Sequence, residues 1–367
     1  MVREGNQKFL TGLYQIAEKV IELEKQGKKI IKLNVGDPDQ NTPSEIVKAA
    51  FKAIKMGKTK YGSSGGEKKI REKLAEIYNV KSERVVITPG SKWAIFLILE
   101  TLLKKGDKVI LPTPHWTAYD LILKRIGVEI KFLKTGFENN WEIDAGELKS
   151  LIDEKTKMII LNNPNNPTSK VIKEKTVEKI VNLANEKGLT ILSDECYSDI
   201  SFKKVKSILD FEGEHFFVNS FSKTFAMTGW RLGFAILPEG LVKEMTKLNQ
   251  ITITSVPIFI QEAGIRALEL KNKIAKEIKE IYQKRAKLAE QILSKTRLKF
   301  SLPDAPFYLF PKCFCDSEKL AFDLLKKGVA ITPGTAFGDY KEYFRIALTL
   351  PEKELKKGLK KIANLFR

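Results

Sequence analysis

The chain has 367 residues, of which 43% are hydrophobic and 30% charged, and this composition excludes an intrinsically disordered or fibrous protein. Its length predicts about two domains with a sizeable buried core. The formal charge of +19 comes from 54 lysines against ten arginines, and the lysines are scattered over what look like helix exteriors, which favours a solvated surface.

The first elements along the chain are an amphipathic helix over residues 7–27 and a short apolar run, IIKLNV (30–35). The run leads into GDPDQNTP (36–43), which is rich in turn-forming residues. The apolar stripe of the helix contains Leu10, Leu13, Ile16, Ala17, Val20 and Leu23.

From about residue 44, helical segments alternate with short runs rich in β-branched residues. Such strands predict an α/β fold with a mostly parallel seven-stranded sheet between helices, in a large domain over residues 41–250. The seven runs are RVVITPG (84–90), DKVILPTP (107–114), EIKFLKTG (129–136), KMIILNNP (157–164), LTILSDE (189–195), HFFVNSFS (215–222) and RLGFAIL (231–237).

The pattern changes after about residue 250. A long helical stretch (260–293) is followed by short strands that alternate with helices, which predicts a smaller α+β domain formed by residues 251–367 together with 1–40. The predicted strands are LKFSLP (298–303), FYLFPK (307–312), VAITPG (329–334) and YFRIAL (343–348).

Chemically active residues follow directly on five of the apolar runs. Because the carboxyl ends of parallel strands meet at one edge of a sheet, where ligands bind, we expect a single site there. The five segments are TPGSK (88–92), PTPHW (112–116), NNPNNPTS (162–169), SDECY (193–197) and NSFSK (219–223).

These strand ends offer four chemical features. Residues 90–92 lie at a strand-to-helix junction, where free N–H groups bind phosphate. Asp194 is a buried carboxylate that needs a cationic partner, and Asn166 and Tyr197 form an amide–phenol pair. The aromatic and small neighbours of Lys223 should partly desolvate its ammonium and favour loss of its proton. Pyridoxal phosphate, a phosphorylated heteroaromatic aldehyde with a ring nitrogen, satisfies all four.

The ordered segments resemble those of the class I/II aminotransferases, specifically the aspartate aminotransferase family of fold type I pyridoxal-phosphate enzymes. The resemblance runs from NVGDPDQNTP (34–43) to YFRIAL (343–348). Its most specific element is the pattern S-x-S-K-x-x-x-x-x-G-x-R-x-G over Ser220–Gly233. The resemblance implies ping-pong transfer of an amino group from an L-amino acid to a 2-oxo acid, for which 2-oxoglutarate is the expected acceptor. Aspartate, aromatic and small neutral donors all stay open.

The resemblance also implies how the cofactor ring is held. Lys223 is expected to form the Schiff base with the cofactor and then to move the proton between the substrate Cα and the cofactor. Asp194 is expected to pair with the ring nitrogen, Tyr197 and Asn166 to hydrogen-bond the ring hydroxyl, and Trp116 to stack on the ring face.

The remaining implied contacts hold the phosphate and the substrate. The phosphate is expected to be held by the N–H groups of Ser91 and Lys92, the hydroxyl of Ser220 and the guanidinium of Arg231. Tyr61 is expected to reach the phosphate in the neighbouring subunit of a homodimer. For the substrate, Arg345 is expected to bind the α-carboxylate with help from Asn166 and the backbone of Gly36.

The sequence departs from the family pattern at three places. NPTS has Ser169 where glycine is usual, and a positive φ there would cost about 1 kcal/mol. The segment that usually reads GAFY is DAPFY (304–308) here, and His115 precedes Trp116 where tyrosine is commoner.

Three other functions share features with this sequence. A pyridoxal-phosphate C–S lyase shares the fold and the lysine, and it is the strongest alternative. An S-x-x-K acyl transferase is disfavoured because K-T-G (134–136) precedes SFSK (220–223) and S-D-N is missing. A nucleic-acid-binding protein is disfavoured because no groove-reading or base-stacking motif accompanies the charge.

The three cysteines, Cys196, Cys313 and Cys315, form no zinc-like pattern, so we expect no metal site and a reducing compartment. The polar start of the sequence and the lack of a long apolar run predict no signal peptide and no membrane span. We therefore expect a cytoplasmic protein.

Overall fold

The computed structural model describes residues 12–367, and its side chains from residue 15. The helices are α1 Gly12–Lys25, α2 Ser44–Lys55, α3 Lys68–Tyr78, α4 Ser91–Leu102, α5 Thr117–Ile126, α6 Ala145–Ser150, α7 Glu174–Lys187, α8 Phe221–Thr224, α9 Val242–Ile253, α10 Ile258–Glu269, α11 Lys271–Leu293, α12 Ser317–Lys326 and α13 Glu352–Ala363. The strands are β1 Ile31–Lys32, β2 Val85–Thr88, β3 Lys108–Thr113, β4 Glu129–Lys134, β5 Thr156–Asn162, β6 Thr190–Asp194, β7 His215–Ser220, β8 Gly233–Ile236, β9 Tyr308–Leu309, β10 Val329–Ala330, β11 Thr332–Pro333 and β12 Phe344–Ala347.

The predicted seven-stranded α/β sheet is confirmed. Its strand order is β2-β8-β7-β6-β5-β3-β4, and only β8 runs antiparallel to its neighbours. Each of the seven apolar runs coincides with one of these strands, to within one residue at the start of β5. Alternate residues of β5 enter different core clusters, Met158 and Ile160 in one and Ile159 and Leu161 in the other. The sheet is therefore buried on both faces, which explains why its strands read as continuous apolar runs.

A smaller α+β part is built from strands near both ends of the chain. Strand β1 pairs in parallel with β10, and β12 lies between β11 and β9 in an antiparallel sheet. The segment around residues 31–32 thus packs with the C-terminal part of the chain rather than with the large sheet.

Two predicted elements differ in detail. The helical stretch 260–293 is two helices, α10 and α11, separated at Leu270. LKFSLP contributes only an isolated bridge at Lys299. The N-terminal helix is described from Gly12, with Ile16 and Val20 buried. Leu10 and the side chain of Leu13 lie outside the described residues.

Within residues 12–367, no helix combines the length and the apolar character that crossing a bilayer requires. Over the same residues, no three His, Cys, Asp or Glu side chains are grouped so that they could hold a metal ion.

Candidate active site

A cavity of about 360 Å³ lies where the large sheet meets the smaller part of the chain. Tyr61 is the one sequence-predicted site residue outside it, and this side chain is 86% exposed. The other predicted residues that line the cavity are Gly36, Ser91, Lys92, Trp116, Asn166, Asp194, Tyr197, Ser220, Lys223, Arg231 and Arg345.

The sheet register brings these residues together. Asn162, the last residue of β5, lies beside Asp194, the last residue of β6. At the start of β8, Gly233 faces Thr88 of β2 on one side and Ser220 of β7 on the other. The antiparallel strand β8 therefore begins where its parallel neighbours end, and it places the residues just before it at the same edge.

Asp194 is a buried carboxylate without an ion-pair partner among the described residues. Its Oδ2 accepts a hydrogen bond from the Tyr119 hydroxyl at 2.6 Å, and its Oδ1 accepts one from the Cys196 N–H at 3.2 Å. Burial raises the pKa of Asp194, although these donors and the charge of Lys223 oppose the increase. A cationic ligand group beside it would offset that cost of burial.

Lys223 lies in the single-turn helix α8 and is half-buried. Its Nζ donates to the Gly36 carbonyl at 2.7 Å and lies 5.7 Å from the centre of the Phe307 ring. Phe221 and Phe225, the predicted apolar neighbours, are buried in the core below it. The amine therefore projects into the cavity from an apolar base.

The start of helix α4 forms one end of the cavity. Gly90 precedes this helix with a φ of +87° and gives it no side-chain cap, so the first N–H groups, including that of Ser91, have no capping side chain. A Cβ at Gly233 would lie 2.5 Å from the Ser91 nitrogen, and a Cβ at Gly90 would lie 2.4 Å from a guanidinium nitrogen of Arg231. Glycine at both positions thus allows the helix start and Arg231 to approach each other.

Positive charge accumulates at this end. Lys92 is exposed as a whole residue, but its ammonium lies over the Trp116 ring, 4.8 Å from the ring centre. Local burial, with Arg231 and Lys223 nearby, lowers the pKa of Lys92. Arg231 donates to the carbonyls of Thr228 (2.7 Å) and Pro89 (3.3 Å).

Arg345 lies at the other end and is 5% exposed. It donates to the Asn166 Oδ1 at 3.0 Å and to the Asn34 carbonyl at 2.7 Å, while its Nε has no partner. Its guanidinium lies 4.4 Å from the centre of the Tyr308 ring, and burial lowers its pKa. Because a buried arginine without a carboxylate is costly, this arrangement favours an anionic ligand.

The aromatic residues of the site are ordered by contacts with one another. Trp116 meets Tyr119 edge-on, with ring centres 5.4 Å apart. The hydroxyls of Tyr197 and Tyr308 are 3.1 Å apart, and burial raises the pKa of Tyr197 well above its usual value.

The residues present fit a phosphorylated cofactor and a carboxylate substrate. None of Lys92, Lys223, Arg231 and Arg345 has a carboxylate oxygen within 4.0 Å in the described part of the chain. These cations lie at both ends of the cavity, with a free helix N-terminus at one end and an unpaired Nε at the other. Pyridoxal phosphate and an α-carboxylate supply matching anions.

Sequence reasoning missed Tyr119 and Tyr308. Tyr119 follows Trp116 by one helical turn, so the spacing could have suggested that both face the same cavity. Tyr308 lies in DAPFY, a segment whose sequence departs from the family pattern but does not by itself indicate a role for the tyrosine. Neither residue has a local feature that predicts its hydroxyl partner, since those partners are 75 and 111 residues away in sequence.

Comparisons with known proteins agree with this geometry. The family model described as aminotransferase class I and II matches residues 28–362. An aspartate aminotransferase of Thermococcus kodakarensis is 34% identical over 90% of this chain and 87% of its own length. A probable aspartate/prephenate aminotransferase of Aquifex aeolicus is also 34% identical, over 95% of this chain and 93% of its own length.

The fold agrees equally well with solved structures. The aspartate aminotransferase of Thermus thermophilus with maleate superposes with a TM-score of 0.93 at 30% identity, covering 97% of both chains. With lysine, aspartate and arginine at the strand ends of this fold, the chain belongs to the class I and II aminotransferases and is a pyridoxal-phosphate-dependent enzyme of fold type I.

Proposed function

We propose that this aminotransferase takes its amino group from aspartate and passes it to 2-oxoglutarate in a ping-pong cycle at the cavity. The observation that carries the proposal is the buried Arg345, whose Nε has no partner and which fits a substrate carboxylate. The names of the relatives support aspartate as the donor. The name of the Aquifex aeolicus relative also supports prephenate as a substrate.

The roles proposed at the ring follow from position and chemistry. When bound, pyridoxal phosphate accepts the amino group and takes up the electron pair released when the substrate Cα–H bond breaks. Lys223 holds the cofactor through its amine and then moves the proton from Cα. Asp194 keeps a proton on the ring nitrogen, and Tyr197 and Asn166 hydrogen-bond the ring hydroxyl.

At the phosphate, we assign the N–H groups of Ser91 and Lys92, the Ser220 hydroxyl and the Arg231 guanidinium. A helix N-terminus and a guanidinium together provide donors and positive charge for a dianion.

At the substrate, Arg345 binds the α-carboxylate. Asn166 and the backbone of Gly36 line the same end, and Trp116 covers the ring face. Because Asn166 already accepts from Arg345 at 3.0 Å, it holds the guanidinium in place before substrate arrives.

We propose a homodimer in which Tyr61 contacts the phosphate of the partner subunit. Tyr61 is 86% exposed and lies outside the cavity of its own chain. The outer side of α2 and its end also expose Phe51, Ile54 and Met56, an apolar surface suited to burial against a second copy.

We further propose that residues 41–250 form the unit that holds the cofactor and that residues 1–40 with 251–367 form the unit that binds the substrate carboxylate. Supporting this, the seven strands of the large sheet lie within 85–236, and the five shorter strands lie within 31–32 and 308–347. Helix α10, which this division places in the second unit, packs against α2 and α3 of the cofactor unit, so the two units are in contact there. A cytoplasmic location is supported by three free cysteines.

Substitution of Lys223 tests the proposed function. Lys223→Ala should bind pyridoxal phosphate without the yellow colour of the covalently held cofactor, and it should lose transamination by orders of magnitude, because the amine that holds the cofactor and moves the Cα proton is removed. Lys276→Ala, which removes an exposed lysine from α11, is the matched control and should keep both. Full turnover in Lys223→Ala would contradict the assignment.

The donor is identified by mixing each amino acid with the yellow wild-type enzyme and following the absorbance change. Aspartate should react fastest of the amino acids. Release of pyruvate or of a thiol, measured in the same samples, would instead indicate a C–S lyase. A faster reaction with aromatic amino acids would overturn the choice of aspartate but not the aminotransferase reaction.

A further inference from the structure

Tyr308 is a buried residue of β9 that touches three residues of the site. Its hydroxyl lies 3.1 Å from the hydroxyl of Tyr197, and its ring lies 4.4 Å from the Arg345 guanidinium. A Cβ at Gly36 would lie 1.9 Å from the Tyr308 hydroxyl oxygen, so only glycine leaves room for it. The Gly36 carbonyl in turn accepts from Lys223. The Tyr308 side chain thus lies between Arg345 and the Gly36 backbone that contacts Lys223.

We propose that Tyr308 is a positioning residue that donates a hydrogen bond to the Tyr197 hydroxyl and supports the Arg345 guanidinium with its ring. This inference rests on the proposed function, in which the Tyr197 hydroxyl donates its one hydrogen bond to the cofactor ring hydroxyl. The oxygen of Tyr197 then accepts from Tyr308, because each hydroxyl has a single proton. A hydroxyl that accepts a hydrogen bond becomes a stronger donor.

A network of hydrogen bonds around Ser169 fixes the position of Tyr308. The Ser169 hydroxyl accepts from the Tyr308 N–H at 3.2 Å and donates to the Pro306 carbonyl at 3.2 Å. The Ser169 carbonyl accepts from the Asp304 N–H at 2.9 Å.

Asp304 is held in turn by Lys203, whose ammonium lies 2.7 Å from its carboxylate. The Asp304 carbonyl accepts from the Ser201 hydroxyl at 3.0 Å. Two of the three departures from the family pattern, at Ser169 and in DAPFY, therefore belong to one structure that holds the Tyr308 hydroxyl against Tyr197.

Two substitutions separate the hydroxyl of Tyr308 from its ring. Tyr308→Phe keeps the ring beneath Arg345 and removes the donor to Tyr197. Since a weaker donor at the ring oxygen favours protonation of the bound cofactor, the pH midpoint of its absorbance change should rise by about half a unit or more. The same variant should lose about 2- to 10-fold in kcat/KM, with KM for the amino acid little changed. Tyr308→Leu should in addition raise KM, because the guanidinium loses its aromatic support.

Tyr340→Phe is the matched control. Tyr340 is also buried, but its hydroxyl oxygen lies 2.7 Å from the Thr113 carbonyl and 2.8 Å from the Thr135 carbonyl, outside the cavity. It should leave the absorbance midpoint unchanged.

The measurement is a pH titration of the visible absorbance of each protein loaded with pyridoxal phosphate, with thermal unfolding of the cofactor-free proteins to compare folding. A midpoint that shifts in Tyr308→Phe alone supports the inference. An unchanged midpoint in Tyr308→Phe, or an equal shift in Tyr340→Phe, overturns it while leaving the proposed function intact. A wild-type protein that stays colourless with pyridoxal phosphate overturns the proposed function and this inference together.

Discussion

Ser169 has a backbone φ of +54° and is 1% exposed, at a position where the family pattern has glycine. The left-handed region costs a serine about 1 kcal/mol relative to glycine. Its hydroxyl offsets this cost, because it bonds both the Pro306 carbonyl and the Tyr308 N–H. A residue that looks unfavourable in sequence is thus stabilised by contacts with a segment more than a hundred residues away.

Stability measurements on two Ser169 variants separate these effects. Ser169→Ala loses the hydroxyl and keeps the strained backbone, so its free energy of unfolding should fall by about 1–3 kcal/mol. Ser169→Gly loses the hydroxyl but relieves the strain, and it should be about 1 kcal/mol more stable than the alanine variant. Denaturant unfolding of the cofactor-free proteins gives the order. A glycine variant more stable than wild type would show that the hydroxyl contributes less than the strain costs.

At the scale of elements, the end of strand β6 presents two carboxyl groups with different surroundings. Asp194 faces the cavity, whereas the next residue, Glu195, accepts hydrogen bonds outside it. The Oε1 of Glu195 accepts from the Ser193 hydroxyl (3.0 Å), the Ser207 hydroxyl (3.2 Å) and the Ile208 N–H (2.9 Å). Glu195 thereby holds residues 207–208 against the end of β6. These hydrogen bonds stabilise the strand end that presents Asp194.

Burial raises the pKa of Glu195 from its ordinary value of 4.5 to about 8. The folded chain therefore holds this proton more tightly than the unfolded chain. The stabilisation is fully present below about pH 4.5 and is lost as the pH rises to about 8. Glu195→Gln stays neutral and keeps the acceptor, so it should gain stability relative to wild type over this range, by about 1 kcal/mol per pH unit.

The check is the difference in free energy of unfolding between Glu195→Gln and wild type, measured from pH 5 to pH 9. Glu244→Gln, an exposed residue on α9, is the control for loss of one negative charge without loss of a buried carboxyl. A difference for Glu195→Gln that does not change with pH would mean that the carboxyl is ionised in the folded protein throughout.

For the whole molecule, the proposed dimer makes each active site depend on two chains. The exposed position of Tyr61 and the apolar surface beside α2 support an arrangement in which neither subunit completes its phosphate site alone. The positive charge of the whole chain is carried largely by surface lysines. The ion pairs of lysines such as Lys68 and Lys81 are exposed and contribute little to folding.

Mixed dimers test this arrangement. Tyr61→Ala and Lys223→Ala should each impair their own homodimers, but mixing them by co-expression should recover activity, since about half of the dimers then carry one intact site. Mixing Lys223→Ala with Arg231→Ala is the control, because both residues line the cavity of the same chain and no intact site can form. Absence of recovery in the first mixture, with dimers present by light scattering, would place Tyr61 outside the site.

The sequence by itself determined the α/β fold, the position of every strand in the large sheet, the cofactor and most of the candidate site residues. These features were accessible because they are local. Apolar runs reflect burial on both faces of the sheet. The motif at 220–233 places the lysine and the arginine in one short segment, in helix α8 and just before strand β8.

Only the tertiary structure decided which groups lie against those residues. The partners of Asp194 and Tyr197 are Tyr119 and Tyr308, and the hydroxyl of Ser169 is satisfied by the 306–308 segment. Such contacts join parts of the chain that are far apart in sequence, and they are set by sheet order and by the packing of the smaller part against the large sheet. Residue spacing carries no record of either, so only the folded chain reveals them.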